Sequence, residues 1–247
     1  MLRNGFEHDH DPLMRIAHVV AEGAIASTFP QMKFTTAMPK LKRPLAVEAA
    51  IHFMTDPSVS KVSLYPIEVP LDRKPHIVEF GLLRTDGRIS YVDVIPLLLQ
   101  QEFGWIGRRT KQLKAEVARL YGASYAVLDE RDLWIEPRRA NLRTMFSHLG
   151  SDDAVALGAV RDVIHHIPMP ATIAEVRSAA GLEPFDFVYF DNHGHPATRE
   201  RLENVDRTFT ALMELAANGE VDIDLSHKFN NRTTVWLSGV HVHETRV

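Results

Sequence analysis

The sequence predicts an α/β chain in two parts: a mixed sheet flanked by helices up to about residue 150, then a smaller domain of helices closing on a hairpin. Apolar spacing orders the first part as a helix, a three-stranded meander, a second helix, a further strand and a closing helix, with Thr85-Asp86-Gly87 as the tight turn inside the meander. The second part rests on a change of character. Helical periodicity dominates after residue 150 until alternation returns on both sides of Asn230-Asn231.

Residues 1–40 mix charged, Pro and Thr positions. LMRIAHVVAEGAIAS (13–27) predicts a helix, and FPQMKFTTAMPKLKRP an extended arm that reaches or wraps rather than joining a core. From Leu45 to Met54 apolar residues recur at helical spacing and stop at Asp56-Pro57, so one helix carries Glu48. VSKVSLYPIEVPL reads as a strand interrupted at Pro66. HIVEFGLLR and RISYVDVIPLLL read as the two strands flanking the Asp-Gly turn. RRTKQLKAEVARLY (108–121) is a basic amphipathic helix ending at Gly122, SYAVLDERDLW a buried strand, and EPRRANLRTMFSHL a second basic segment. The resulting αβββαβα order assigns residues 41–150 to one domain. In 151–247, residues 152–166 form a helix. PATIAEVRSAAGL forms another, capped by Thr172 and closed by Gly181, and ATRERLENVDRTFTALMELAANG a long third or a pair. With the terminal hairpin this is the outline of a winged helix-turn-helix, in which the longer helix would be the reader.

Composition narrows the function classes. At 247 residues and 45% hydrophobic content the chain can fill a real core. No stretch approaches the roughly 18 apolar residues of a membrane span, and MLRNGFEHDHDP lacks the apolar segment of a secretory signal, which predicts a cytoplasmic protein without membrane partners. The absence of cysteine excludes disulfides, zinc-thiolate sites and cysteine nucleophiles. A net charge of −4 argues against indiscriminate coating of nucleic acid but leaves local basic patches open. No Gly-rich phosphate loop or GxSxG occurs. The runs His8-Asp9-His10-Asp11 and Asp191 with His193 and His195 offer imidazoles to a metal. They sit in terminal and loop-like sequence, where solvent exposure is the simpler reading. His241 and His243 share a strand face, and His165-His166 suit a helix end.

Metal-dependent phosphodiester cleavage needs hard oxygen ligands and a group that positions water and neutralises developing charge. Glu48 on its helix, and Glu79 and Asp93 at similar distances on either side of the turn, are candidate catalytic and metal-binding residues for magnesium. Cross-strand neighbours lie about 5 Å apart, so Glu79 and Asp93 would repel unless a metal or a basic group relieved them. The simpler reading from spacing alone is that they are ordinary strand-edge or surface acids.

The runs EAAIHFMTDPSVSKVSLYPIEVPL, HIVEFGLLRTDGRISYVDVIP and YAVLDERDLWIEPRRANLRTMF resemble the N-terminal domain of the TnsA family, transposon end-cleaving endonucleases of the restriction-endonuclease-like superfamily. The resemblance spans about residues 40–150 and rests on order, spacing and the DPSV and ERDL stretches. A TnsA-like C-terminal winged-helix-like domain would correspond to 151–247. In that family a helical Glu precedes the DPSV-like segment, a PDF-like triplet opens the first hairpin strand, and an acid or Gln two residues before a Lys closes the second. Here the triplet is Val78-Glu79-Phe80, Asp93 holds the second acid position, and Ile95 stands where the lysine belongs. An isoleucine cannot donate a hydrogen bond or carry charge beside an attacked phosphate. Lys111 or Lys114 on the next helix is a candidate substitute.

A DNA-binding shell can outlast its chemistry. Arg108, Arg109, Lys111 and Lys114, and the cluster Arg138, Arg139 and Arg143, would neutralise phosphates, and Lys228 and Arg232 on the terminal hairpin would reach a groove or backbone. The alternative is that the arginines pair with Glu116, Asp129, Glu130 and Asp132. The leading expectation is a DNA-binding protein of TnsA-like endonuclease fold, impaired in cutting and acting in DNA recognition or regulation of a mobile element, with no cofactor. The competing ones are an active Mg-dependent endonuclease of transposition and a protein-binding adaptor. Self-association and a protein partner at the winged helix fit all three.

Overall fold

Pro44 opens α1 (Pro44–Thr55) at a position whose N–H needs no intrahelical partner. Asp56, constrained by the proline after it, leaves the helix in an extended conformation. The computed structural model describes residues 33, 34, 41, 43–71, 74–151, 153–183 and 206–239. The expected helix at 13–27, the histidine runs at 8–11 and 191–195, and His241 and His243 lie outside them. The chain divides into two compact units, Met1–Leu142 and Arg143–Val247.

The first unit is a mixed sheet flanked by helices. Alanines at 46, 49 and 50 bury α1 closely, and Phe53 meets Phe80 edge-on at 5.2 Å. The sheet runs β1 (Val59–Leu64), β4 (Phe80–Arg84), β5 (Ile89–Val94), β6 (Ser124–Leu128), with the first three antiparallel and β6 parallel to β5. A parallel pair needs a crossover, supplied by α3 (Trp105–Tyr121), which stops at Gly122 in the left-handed conformation. The turn at Thr85-Asp86-Gly87 sets the β4–β5 register, Phe80 opposite Val92 and Leu83 opposite Ile89.

Three predicted elements differ. HIVEFGLLR is two strands: β3 (His76–Ile77) pairs with β2 (Glu68–Val69) in a separate two-stranded sheet, and the chain crosses to the main sheet at Val78-Glu79. The connection from β1 to β2 crosses at the same level through Tyr65, a non-glycine residue at φ 50°, whose N–H donates to the Glu79 carbonyl at 2.9 Å. The leucines after Pro96 form a short helix, α2 (Leu97–Glu102), instead of prolonging β5. In SYAVLDERDLW the strand ends at Leu128 because Asp129 caps α4 (Glu130–Leu133) with a reciprocal capping box. Of the predicted free arm, Phe34 bridges to Val62 on the edge of β1, and Phe34 and Leu41 are buried, so these positions pack.

The second basic segment is α5 (Arg138–Ser147), and the division between units falls within it. The second unit runs α6 (Ala154–His166), β7 (Ala171–Thr172), α7 (Ile173–Ala180), α8 (Arg207–Ala217), β8 (Val221–Ile223) and β9 (Thr234–Leu237). Its antiparallel sheet is ordered β7-β9-β8. Thr172 and Glu175 form the capping box of α7, and Gly181 ends it in the left-handed conformation. The expectation that the longest helix reads a groove is not met over its described part. Every residue of α8 is buried or half-buried, which leaves no face for base edges. No helix among the described residues is long and apolar enough to cross a membrane.

Candidate functional site

Where the β3–β4 chain crosses between sheets, Glu79 meets the end of β5. Its carboxylate Oε2 accepts hydrogen bonds from Arg43 Nη2 at 2.5 Å and from the Val94 N–H at 3.1 Å, while Arg43 Nη1 donates to the Val94 carbonyl at 2.8 Å. Arg43, the residue before α1, thus ties the start of that helix to the acid and to β5. Asp93 accepts from the Glu79 N–H on Oδ1 at 2.9 Å, and from His76 Nε2 and the Tyr125 hydroxyl on Oδ2, each at 2.5 Å. Arginine has only donors, so Arg109 Nη2, 3.1 Å from His76 Nδ1, donates to that nitrogen and leaves Nε2 as the one carrying the proton toward Asp93. Tyr125, Asp93, His76 and Arg109 form one hydrogen-bonded chain.

Burial governs the electrostatics here. Desolvation raises the Glu79 carboxyl above its ordinary range against the opposing pull of Arg43 and the Val94 N–H, and the Asp93 charge adds to the rise. Burial, then the charge and hydrogen bond of Asp93, push the Tyr125 phenol well up, so it stays protonated and donates. The repulsion expected between the two acids is relieved by Arg43 and by donors from three other elements.

Glu79 and Asp93 therefore come together as the turn register implies, but Glu48 does not complete a trio. Its buried carboxylate accepts from Arg139 Nη2 at 2.9 Å, and the same guanidinium lies 5.3 Å over the Trp134 ring. Among the described residues no three His, Asp or Glu side chains gather as a metal-holding group. Magnesium needs several carboxylate or water oxygens left open to it. Glu79 Oε2 and both Asp93 oxygens already accept hydrogen bonds from protein groups, so an ion binding there would have to displace them.

Asp93 near the end of β5 and Ile95 just beyond it line the same open cleft of about 550 Å³. Ile95 thus gives this wall of the cleft an apolar side chain. The cations that do line this cleft are Lys74 and Arg109. Lys111 and Lys114, the expected substitutes, are exposed on α3 and do not line it.

Of the predicted DNA contacts, Arg108, Lys111 and Lys114 are exposed on α3, and none of them pairs with an acid among the described residues. Arg138, Lys228 and Arg232 are exposed as well. Arg139 is a correction: it turns inward to Glu48 and Trp134, so phosphate would have to compete with a buried carboxylate. Two of the acids offered as partners are taken by other arginines, Glu116 by Arg119 and Asp129 by Arg131. Sequence reasoning missed Arg43, Lys74, His76 and Tyr125. Tyr125 reaches Asp93 because Val127 is the parallel partner of Asp93 and Tyr125 shares its face of β6, a register that only the fold sets. Comparison with known protein families and with curated proteins returns no match to this chain.

Proposed function

We propose that the chain is a DNA-binding protein built on a restriction-endonuclease-like core of TnsA type, with its cutting site replaced by internal ion pairs and hydrogen bonds. In this reading a winged-helix domain follows the core, and the protein acts in DNA recognition or regulation of a mobile element. The element order α1-β1-β4-β5-α3-β6 supports the core, with acids on α1, at the start of β4 and at the end of β5. The helix-strand-helix-helix-hairpin order, with β7 joined to β9, supports the winged helix. The deciding observation is that Glu79 and Asp93 stand where the resemblance places ligands but are engaged by Arg43, His76, Tyr125 and backbone N–H groups, with Ile95 beside them. The exposed cations Arg108, Lys111 and Lys114, without an acid partner among the described residues, supply the phosphate-facing surface.

Purified protein incubated with supercoiled and linear DNA in Mg²⁺ or Mn²⁺ leaves both intact, yet retards duplex DNA in a mobility shift. Each lost phosphate contact lowers the slope of log affinity against log salt by about 0.9, so replacing Arg108, Lys111 and Lys114 together by Gln flattens it by about 2 to 3 units. Metal-dependent cleavage abolished by Asp93→Ala would overturn the reading.

A further inference from the structure

The cleft beside Asp93 is more than the remnant of a cutting site. Two cations line it, Lys74 and Arg109, against a single acid, Asp93, whose two oxygens already accept three hydrogen bonds. Arg109 has five N–H donors, and one of them bonds the imidazole of His76. No carboxylate pairs with it or with Lys74 among the described residues. Among the described residues, the cleft lining therefore carries one more cation than acid.

Its other wall is aromatic. Phe103 and Trp105, at the junction of α2 and α3, are 44% and 52% exposed and both line the cleft, with Leu99 beside them. Their ring centroids are 6.3 Å apart at 43°, tilted rather than stacked, so neither ring covers the other's face. Adjacent exposed apolar rings rimmed by cations mark a binding surface more than a packing accident. A volume of about 550 Å³ is within the range of small-ligand sites.

Building on the DNA-binding reading above, we propose that this cleft takes a nucleoside phosphate, its base against Trp105 and Phe103 and its phosphate against Lys74 and Arg109. Single-stranded DNA presents that chemistry as an unstacked residue, and a free nucleotide presents it alone. Base stacking on an aromatic side chain tolerates any base, because every base has a π face, and a cation beside the ring holds the backbone. Duplex DNA, with its bases stacked, engages the α3 cations without entering the cleft.

The test measures binding of the full chain to a dye-labelled oligothymidylate and to a labelled duplex, with dTMP as competitor. Trp105→Ala weakens binding of the single strand by about tenfold, Lys74→Gln weakens it further at low salt, and duplex binding is unchanged in both. Trp105→Phe, which keeps a ring, stays within about threefold of the parent. Competition by dTMP assigns the site to free nucleotides, and its failure to compete assigns it to a strand. Trp105→Ala binding the single strand as tightly as the parent, or losing strand and duplex equally, overturns the proposal and turns the aromatic rim into a protein-facing surface. A parent chain that binds duplex but not oligothymidylate removes this site alone. One that binds neither removes the DNA-binding reading with it.

Discussion

Glu79 in the first unit and Asp153 in the second are both carboxylates bonded to an arginine, yet their protonation is driven in opposite directions. Glu79, with Arg43 at 2.5 Å, is raised because burial outweighs its partner. Asp153, the N-cap of α6, accepts from Arg207 at 2.7 and 3.0 Å and from the Ala156 N–H at 3.0 Å, and these bonds hold its carboxyl below the ordinary range. The second unit repeats the pattern with Glu220 and Arg161, whose hydrogen bonds also lower the acid. There, charge braces the fold: a cap is filled, and α6 is tied to α8 and to the start of β8. In the first unit, two acids meet at the ends of the central strands β4 and β5: burial disfavours the ionised form of Glu79, and Asp93 accepts three hydrogen bonds. Acids kept at such a cost mark a site rather than a brace.

The sharpest way to break that contrast is to remove Asp93. Ala at this position leaves the Tyr125 hydroxyl, the His76 Nε2–H and the Glu79 N–H without their acceptor inside the protein, and losing one member of a buried charged network costs about 3–5 kcal/mol. Urea denaturation should show that loss, with Asp93→Asn milder because it keeps an acceptor oxygen. Asp153→Ala removes a cap and a paired charge at a less buried position, and should cost about 2 kcal/mol. If Asp153→Ala proved the more damaging of the two, the first unit's acids would be peripheral and the contrast would fail.

How much of this was legible depended on sequence distance. The α7 cap and stop at Thr172 and Gly181, the Asp-Gly turn, and the strands flanking it were readable, because each depends on a few adjacent residues. The turn register also brought Glu79 and Asp93 together correctly. The break at Val78-Glu79 was hidden, since apolar residues run through it without a turn signal. What splits the strand is pairing with Glu68-Val69 on one side and with β1 and β5 on the other. The groups that occupy the acids were equally out of reach. Arg43 lies 36 residues from Glu79, Tyr125 32 from Asp93 and Arg139 91 from Glu48, and only the closed fold sets those pairs. Ile95 was visible as an anomaly at once, but that Lys74, His76 and Arg109 surround the same cleft was not.

The smallest expected effect discriminates best, because it depends on sign. Glu79 has a folded-state pKa above its unfolded value of 4.5, so the folded protein holds that proton more tightly. Its contribution to stability is full below pH 4.5 and is lost as pH rises through the folded value. Asp153 runs the other way: its folded value lies below 3.8, so its contribution is present above pH 3.8 and is lost as pH falls through the folded value. Replacing Glu79 by Gln should therefore leave a chain whose stability, relative to the parent, improves as pH rises from 4.5, whatever constant penalty comes from the altered bond to Arg43. Replacing Asp153 by Asn should produce a deficit that shrinks as pH drops below 3.8. Unfolding curves for the two variants across that range separate the effects, since a constant offset cannot mimic a slope. Parallel pH profiles for Glu79→Gln and the parent would mean that Arg43 fully compensates the burial of Glu79. Glu79 with Arg43 would then be a brace of the same kind as the second unit's ion pairs.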